Sequence, residues 1–443
     1  MMQRHLGMTM ALVLAGLASA VAGRCADHDM PPSVPGIDAP QLARLGPSPV
    51  GVRTLKLVDR NAIDLLATAA GRVASHHDRV LLVDLWYPAR ARARGLAVPE
   101  RYHADLPAEA PGASTRFDIA GLAVRNAPNQ GGGYPLVIVS HGFSNATAAL
   151  SWLTENLASK GYVVAAIRHA DPPISDRAAR SQLLLRRPLD IAFVAGSLQA
   201  ALGAQGLIDP QRTALIGYSM GAYGVVTSAG ATLDPQGAVC QAVPDGALLP
   251  YARGGARQAE VRVRNLKAVV AIALIGGGRE SWGEEGMAAL TTPLLLIHGD
   301  HDHTAAYAAN SPVFLEGAIH ARRYLLTYLN AGHALGLAPV PEAMRSTLWD
   351  LSWFEDPVWR KDRIVAINLH FITAFLDRYV KGDESRAAFL DGLVPQSSDG
   401  HWEAPPGTPY DAYSPGEGVT LWKGFQRRRA DGLELQERDA LAP

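Results

Sequence analysis

The chain has 443 residues, of which 48% are hydrophobic and 19% are charged, and its formal net charge is −1. This length and balance are typical of a globular protein with one large core or two ordinary ones, and they exclude wholesale disorder. The near-neutral charge gives no sign of the basic surface by which proteins bind nucleic acid or acidic membranes, so we expect no nucleic-acid partner.

The first residues have the pattern of a secretory signal peptide. Arg4 precedes an apolar stretch over residues 6–18, and small residues offer two cleavage sites, after Ala20 and after Ala22. The stretch is short for a membrane span, and a buried N-terminal helix is the alternative. We predict a signal peptide over residues 1–22, no stable membrane span, and a secreted or periplasmic protein.

Composition divides the rest of the chain into three predicted parts. Residues 23–50 are rich in Pro, Gly and Asp and predict a linker or N-terminal arm. Residues 51–382 predict an α/β domain. Residues 383–443 contain scattered aromatic side chains, which favour an extension that packs on the core over a disordered tail. Cys25 and Cys240 are the two cysteines of the chain, so a disulfide framework is excluded and a single bridge stays open.

Within the α/β domain, short apolar runs alternate with amphipathic stretches. A continuous apolar run is typical of a parallel strand covered on both faces, and an apolar stripe at helical spacing predicts a helix. The predicted strands are 54–58, 80–86, 136–139, 162–167, 213–217, 268–274, 294–298 and 322–329, and the predicted helices are 146–160, 188–202, 220–229 and 364–381. Pro188 is expected in the first turn of its helix.

This alternation predicts a doubly wound, mostly parallel sheet. Four segments interrupt it and are predicted to form loops over the carboxyl ends of the strands, where open α/β sheets bind ligands. These insertions are residues 171–187, 231–265, 275–290 and 334–362.

The strongest motif is Gly217-Tyr218-Ser219-Met220-Gly221, a G-x-S-x-G sequence that follows an apolar strand and precedes a helix. In that context the motif forms a turn so tight that only glycine fits at its flanks, and it raises the serine above the edge of the sheet. A chance match in a glycine-rich chain is the alternative, and the strand and helix on either side disfavour it. We therefore predict that Ser219 is a nucleophile.

A serine hydroxyl becomes a good nucleophile only when a base takes its proton, so a histidine and an orienting carboxylate are required. These partners follow the serine in the order acid, then histidine, each after a later strand. His333 follows the strand at 322–329 and is the predicted base. Asp300 and Asp302 both follow the strand at 294–298, and Asp302 is the preferred acid, with Asp300 left as the alternative.

The third requirement is a pair of backbone N–H groups that stabilise negative charge on the substrate oxygen. This type of elbow takes one from the residue after the nucleophile and one from a loop after an earlier strand. The predicted donors are the amides of Met220 and of Phe143, which lies in a His-Gly-Phe loop. His141, Tyr218 and Trp282 are the predicted substrate-binding side chains.

Four further segments accompany the elbow in order. They are Leu85-Trp86-Tyr87-Pro88-Ala89, Ser140-His141-Gly142-Phe143, the stretch 157–165, and Arg187-Pro188-Leu189-Asp190. Together they resemble the bacterial dienelactone-hydrolase-like esterases related to platelet-activating-factor acetylhydrolases. The resemblance covers about residues 50–382.

The resemblance implies an α/β-hydrolase fold for residues 51–382, with loop insertions over the active site. It also implies a serine esterase that acts on a small-molecule, lipid or polymer ester and uses no metal or organic cofactor. Dienelactone hydrolases proper have a cysteine nucleophile where this chain has Ser219, so their substrate is not implied.

Three alternatives stay open. The cluster from His298 to His303 nearly matches the H-x-H-x-D-H motif of metallo-hydrolases, with Asp300 where a histidine is expected, and it would predict a metal-dependent hydrolase. Transfer of the acyl group to an alcohol would use the same residues as hydrolysis. A non-catalytic binding module would be expected to lack a member of the triad, and none is missing.

Overall fold

A computed structural model of the chain describes residues 30–64, 75–90, 98–176, 179, 181–409, 412–413 and 416–442. The predicted signal peptide and Cys25 lie outside the described residues. Cys240 is buried. Among the helices described, none is both long enough and apolar enough to cross a membrane.

The described strands form one sheet of eleven, in the order β11-β10-β9-β8-β7-β5-β6-β2-β1-β4-β3. Six central strands, from β10 to β6, run parallel, whereas β2 joins β6, and β11 joins β10, in antiparallel register. The strands are β1 Val50–Asp64, β2 Ser75–Pro88, β3 Pro99–Pro107, β4 Ser114–Arg125, β5 Tyr134–Ser140, β6 Val163–Arg168, β7 Ile208–Tyr218, β8 Leu266–Ile272, β9 Leu294–Gly299, β10 Arg323–Tyr328 and β11 Leu433–Arg438.

Helices connect the parallel strands and cover the sheet. The described α-helices are α1 Ser151–Ser159, α2 Leu183–Ala204, α3 Met220–Ala229, α4 Ala238–Ala242, α5 Arg279–Ala288, α6 Ser311–Gly317, α7 Leu348–Phe354 and α8 Lys361–Tyr379. The predicted doubly wound, mostly parallel sheet is confirmed, and its central strands and helices make an α/β-hydrolase fold.

The apolar side chains of the central strands divide between two cores, one on each face of the sheet. In β5, Val137 and Val139 belong to one core, while Leu136 and Ile138 belong to the other. The first core includes the apolar side chains of α1 and α8, and the second includes those of α2, α3, α5 and α6. Successive side chains of a strand point to opposite faces, so a strand buried on both faces must be apolar throughout.

The helix α2 begins five residues before the predicted start, so Pro188 lies inside it and not in its first turn. Proline has no N–H, which leaves the carbonyl of Leu184, four residues earlier, without its helical donor. The hydroxyl of Tyr223 donates to that carbonyl at 2.8 Å. This tertiary hydrogen bond lets the helix continue through a residue that sequence rules treat as a start signal.

Three flanking strands were not predicted: β3, β4 and β11. In β4, buried positions alternate with exposed or half-buried ones, so no continuous apolar run marks the strand. The strand β11 extends the sheet beside β10, and the nearby Trp422 and Phe425 are buried. From Pro31 onward the chain forms one compact unit, which contains the predicted boundaries at residues 50 and 382.

Candidate active site

The loop between β7 and α3 has the geometry of a strained elbow with Ser219 at its tip. Ser219 has φ 54° and ψ −117°, a conformation that non-glycine residues rarely adopt. A Cβ atom on Gly217 would lie 2.3 Å from the carbonyl oxygen of Gly221, and one on Gly221 would lie 2.0 Å from that of Ser140. Both glycines are therefore required by close backbone contacts, which explains the spacing of the motif.

Ser219 and His333 are joined by a hydrogen bond, although they are 114 residues apart in the chain. The distance between Ser219 Oγ and His333 Nε2 is 3.0 Å. On the other side of the imidazole ring, His333 Nδ1 lies 2.6 Å from Asp302 Oδ2. A carboxylate can only accept, so Nδ1 carries the proton and Nε2 is free to accept the hydrogen bond of the serine hydroxyl.

Asp302 is buried yet well supplied with donors. Its Oδ2 also contacts His298 Nε2 at 3.1 Å, and its Oδ1 accepts the backbone N–H groups of Thr304 and Ala305 at 2.9 and 2.8 Å. Burial alone would raise the pKa of Asp302, but the hydrogen bonds from His298 and His333 outweigh it and hold that pKa well below its usual range. Asp302 is therefore an ionised acceptor for His333.

His298 supports Asp302 from the end of β9. Because its Nε2 donates to Asp302, its Nδ1 is left to accept the hydroxyl of Ser311 at 2.7 Å. Burial lowers the pKa of His298, so the ring stays neutral beside the carboxylate. The sequence had placed this histidine only in the metal-like cluster.

The competing acid and the neighbouring histidines lie elsewhere. Asp300 accepts the backbone N–H of Asn330 at 2.6 Å and contacts His301 Nδ1 at 2.9 Å, so it holds a turn and does not reach His333. His301 and His303 are exposed. Among the described residues, no group of three or more His, Cys, Asp or Glu side chains is arranged to hold a metal ion.

The backbone around His333 is held by side chains that sequence analysis missed. Asp356 accepts the N–H of Gly332 at 2.7 Å, and the buried Lys361 donates to the carbonyl of Ala334. Burial lowers the pKa of Lys361 to about 7. Tyr218, one of the predicted substrate-binding residues, donates its hydroxyl to the carbonyl of His333 at 3.2 Å. Asp356 and Lys361 both lie in the predicted insertion at residues 334–362, whose path no sequence pattern reveals.

The two predicted oxyanion donors lie on the two segments that meet at Ser219. Met220 is the first residue of α3, where a helical N–H has no acceptor within the helix. Phe143 follows Gly142, and a Cβ on Gly142 would lie 3.4 Å from Ser219 Cβ. The loop and the nucleophile thus lie so close together that a side chain at Gly142 would touch Ser219.

The other two predicted substrate-binding residues lie deeper. His141 is 2% exposed, and it borders a cavity of about 510 Å³ that is also lined by Asn145 and Arg168. Trp282 has no exposed surface: it packs against Tyr223 and Phe314 within the core. The predicted contact of Trp282 with substrate is therefore wrong, because the glycine-rich insertion around it folds down as the helix α5 and does not form a pocket wall.

A strand–helix elbow with a hydrogen-bonded serine, histidine and aspartate at the ends of three parallel strands is the arrangement of an α/β-hydrolase. A family model described as PET hydrolase-like matches residues 120–247, which include the His-Gly-Phe loop and the elbow. This match confirms the resemblance to α/β-hydrolase esterases expected from the sequence.

Among solved structures, a ferulic acid esterase from Streptomyces cinnamoneus is similar to 75% of this chain and 91% of its own, with 20% identity and a TM-score of 0.48. No curated protein matches the sequence.

Proposed function

We propose that this protein is a serine hydrolase that cleaves carboxylic esters through an acyl-enzyme on Ser219. The observation that carries the proposal is the hydrogen-bond chain from Ser219 through His333 to the ionised Asp302, set at a strand–helix elbow. The match to a PET hydrolase-like family supports ester bonds as the target.

In the first half-reaction His333 Nε2 takes the proton of Ser219 Oγ as that oxygen bonds to the ester carbonyl carbon. The carbonyl π electrons move to oxygen and give a tetrahedral oxyanion. When this intermediate collapses, the bond to the alcohol oxygen breaks and His333 returns the proton to that oxygen. Water then repeats the sequence on the acyl-enzyme and releases the acid and free Ser219.

Asp302 stabilises the positive charge that His333 carries between these proton transfers. The amides of Phe143 and Met220 are the proposed donors to the oxyanion. Phe143 directly follows Gly142, which lies beside Ser219, and Met220 is at a helix N-terminus. Ser219 is 8% exposed, so the residue is not sealed from solvent.

The substrate class is proposed to be a small-molecule or polymer ester. A panel of purified-protein assays should therefore grade esters by acyl length, by aromaticity of the acid and by polymer content. Within this panel, an aromatic polyester tests whether the likeness to PET hydrolase-like proteins extends to the substrate.

The matched pair Ser219→Ala and Ser228→Ala tests the nucleophile. Ser228 is a buried serine on the same helix, α3, and donates to the carbonyl of Pro188, outside the proposed site. Ser219→Ala should lower kcat by about six orders of magnitude on any ester that the wild type cleaves, while Ser228→Ala should retain its kcat. Wild-type rates in a folded Ser219→Ala variant would rule out the proposal.

A further inference from the structure

Behind the His-Gly-Phe loop lies a charged side chain to which the mechanism gives no part. Arg187, in α2, has no exposed surface. Its Nη1 donates to the carbonyl of His141 at 2.6 Å and its Nη2 to the carbonyl of Gly142 at 3.2 Å. The buried guanidinium thus donates two hydrogen bonds to the backbone of the loop just before Phe143.

The same carbonyl accepts the backbone N–H of Asn145 at 3.3 Å, and His141 adds a third donor to it. Its Nδ1 lies 2.7 Å from the oxygen of Gly142, and its Nε2 accepts the backbone N–H of His169 at 3.3 Å. A carbonyl only accepts and a backbone N–H only donates, so these two contacts fix the proton on Nδ1. Burial, and then the charge of Arg187, lowers the pKa of His141 to about 3, which keeps the ring neutral.

The carbonyl of Gly142 and the N–H of Phe143 belong to one planar peptide group. In a trans peptide the two bonds point in opposite directions, so donors that hold the carbonyl also set the direction of the N–H. Hydrogen bonds to the carbonyl oxygen further polarise the group and strengthen its N–H as a donor.

We propose that Arg187 is a positioning residue for the oxyanion hole, and that with His141 it orients and polarises the Gly142–Phe143 peptide. The inference rests on the proposed function, in which the amide of Phe143 binds the oxyanion. It also gives a physical role to the Arg187-Pro188-Leu189-Asp190 segment, which the elbow and the triad leave unexplained.

The guanidinium of Arg187 is held beside the loop by Asp171. Asp171 accepts its Nη2 and also the backbone N–H of Ser144, at 3.0 Å, so one carboxylate ties the guanidinium to the far end of the loop. Ser144 has φ 53°, a conformation that a non-glycine residue adopts only where its surroundings fix it.

A chain of hydrogen bonds from Arg79 through Asp190 and His169 reaches Ser140, at the start of the loop. Arg79 donates to both oxygens of Asp190, at 2.7 and 2.8 Å, and His169 Nδ1 lies 3.0 Å from the same carboxylate. The hydroxyl of Ser140 lies 2.9 Å from His169 Nε2. The chemistry matches that of a catalytic triad, but Ser140 has no exposed surface, so no substrate reaches it.

Arg187→Met tests the proposal directly, because methionine fills similar space without donors or charge. We expect kcat to fall by about 10²-fold, in the range of losing one oxyanion donor, with KM little changed. The infrared carbonyl band of a slowly hydrolysed acyl-enzyme should move to higher wavenumber, since a weaker oxyanion hole polarises the carbonyl less. Arg187→Lys, which keeps the charge but not the fork, should give an intermediate kcat and band.

The matched control is Arg323→Met. Arg323 is a buried arginine that also donates to backbone carbonyls, those of Ala321 and Asp439, at the amino end of β10. The Arg323→Met substitution should lower the stability of the protein but leave kcat and the carbonyl band unchanged. An unchanged kcat and band in folded Arg187→Met, or an equal loss in Arg323→Met, would overturn the proposal.

If Arg187→Met does not fold, His141 decides the question. His141→Phe removes the imidazole donor to the carbonyl of Gly142 and should lower kcat by about tenfold. His141→Asn retains an N–H at a similar position and should keep more activity. Equal rates in these two variants would contradict the proposal. Reaction of wild-type Ser219 with a fluorophosphonate separates the two claims: without it the proposed function fails, and with it a negative result concerns Arg187 alone.

Discussion

At the scale of single residues, the elbow stores backbone strain at Ser219. A non-glycine residue with φ 54° costs about 1–3 kcal/mol relative to a relaxed conformation. The surrounding backbone holds it there: the N–H of Ser219 donates to the carbonyl of Ile272, and its carbonyl accepts the N–H of Ala222. The strain therefore persists because the neighbouring strand and helix leave no room for relaxation.

The choice between Asp302 and Asp300 is also decided by single hydrogen bonds. Asp302→Asn should lower kcat by about four orders of magnitude in a folded protein, because the amide no longer stabilises the imidazolium or fixes its tautomer. Asp300→Asn is the matched control, since it changes a turn residue two positions away, and it should retain most activity. Steady-state kinetics on both variants give the comparison.

The same assay tests the metal alternative. Exhaustive chelation should leave the wild-type rate unchanged, and His301→Ala and His303→Ala should be tolerated. A dead Asp300→Asn with an active Asp302→Asn would move the acid by two residues. Loss of activity on chelation with recovery on addition of zinc would contradict the serine mechanism itself.

The residues of the site differ in how far sequence could reveal them. The positions of Ser219, His333 and Asp302 follow from local rules, because each lies just after a recognisable apolar strand. The contacts of Arg187 with the loop before Phe143 span more than 40 residues, and no local pattern encodes such a distance. Trp282 was misplaced for the same reason, since only the packed structure separates a core aromatic ring from a pocket wall.

At the scale of elements, α2 connects the His-Gly-Phe loop to strand β2. Arg187 of α2 donates to the loop, and Asp190 of α2 accepts from Arg79 of β2. Burial alone would raise the pKa of Asp190, but the hydrogen bonds from Arg79 and His169 outweigh it and lower that pKa below the value of a free carboxyl group. A carboxylate with a depressed pKa in the folded state stabilises the protein above the unfolded pKa, and this contribution is lost as the pH falls.

Asp190→Asn should accordingly destabilise the protein in a pH-dependent way. At pH 7 the free energy of unfolding should fall by about 3–5 kcal/mol, because Arg79 is left without its buried partner. The difference from wild type should shrink as the pH falls below about 4, where the unfolded carboxyl group takes up a proton. Urea unfolding at pH 7 and pH 3 measures both values.

A half-exposed pair at the surface provides the control for this prediction. Asp209 pairs with Arg212 at the surface, and Asp209→Asn should cost at most about 1 kcal/mol at either pH. A loss of unfolding free energy in Asp190→Asn that is as small as this at pH 7, or that grows toward pH 3, would contradict a buried, ionised Arg79–Asp190 pair.

The sequence predicted the central strands but not the flanking ones, because the two groups differ in how completely they are buried. The central parallel strands are covered on both faces and appear as continuous apolar runs, so they were found. The flanking strands β3, β4 and β11 have partly exposed faces, and in β3 only Tyr102 and Leu106 are buried. Alternation of this kind is a weaker signal than a continuous run, and charged residues interrupt it further.

At the scale of the whole molecule, the sheet brings the three parts of the site to one edge. The serine follows β7, the acid follows β9 and the histidine follows β10, and parallel strands end at the same edge of a sheet. The strand β11 pairs along the full length of β10, whose end leads to His333. The last segment of the chain thus completes the sheet beside the strand that carries the base.

The most direct test of the central claim is the site of covalent modification. Wild-type protein treated with a fluorophosphonate, digested and mapped by mass spectrometry should carry the adduct on Ser219, and prior incubation with a substrate ester should slow its formation. His333→Ala should react far more slowly, because the hydroxyl has lost its base. An adduct on another serine, or equal labelling of the His333→Ala variant, would contradict the assignment of Ser219 as the nucleophile.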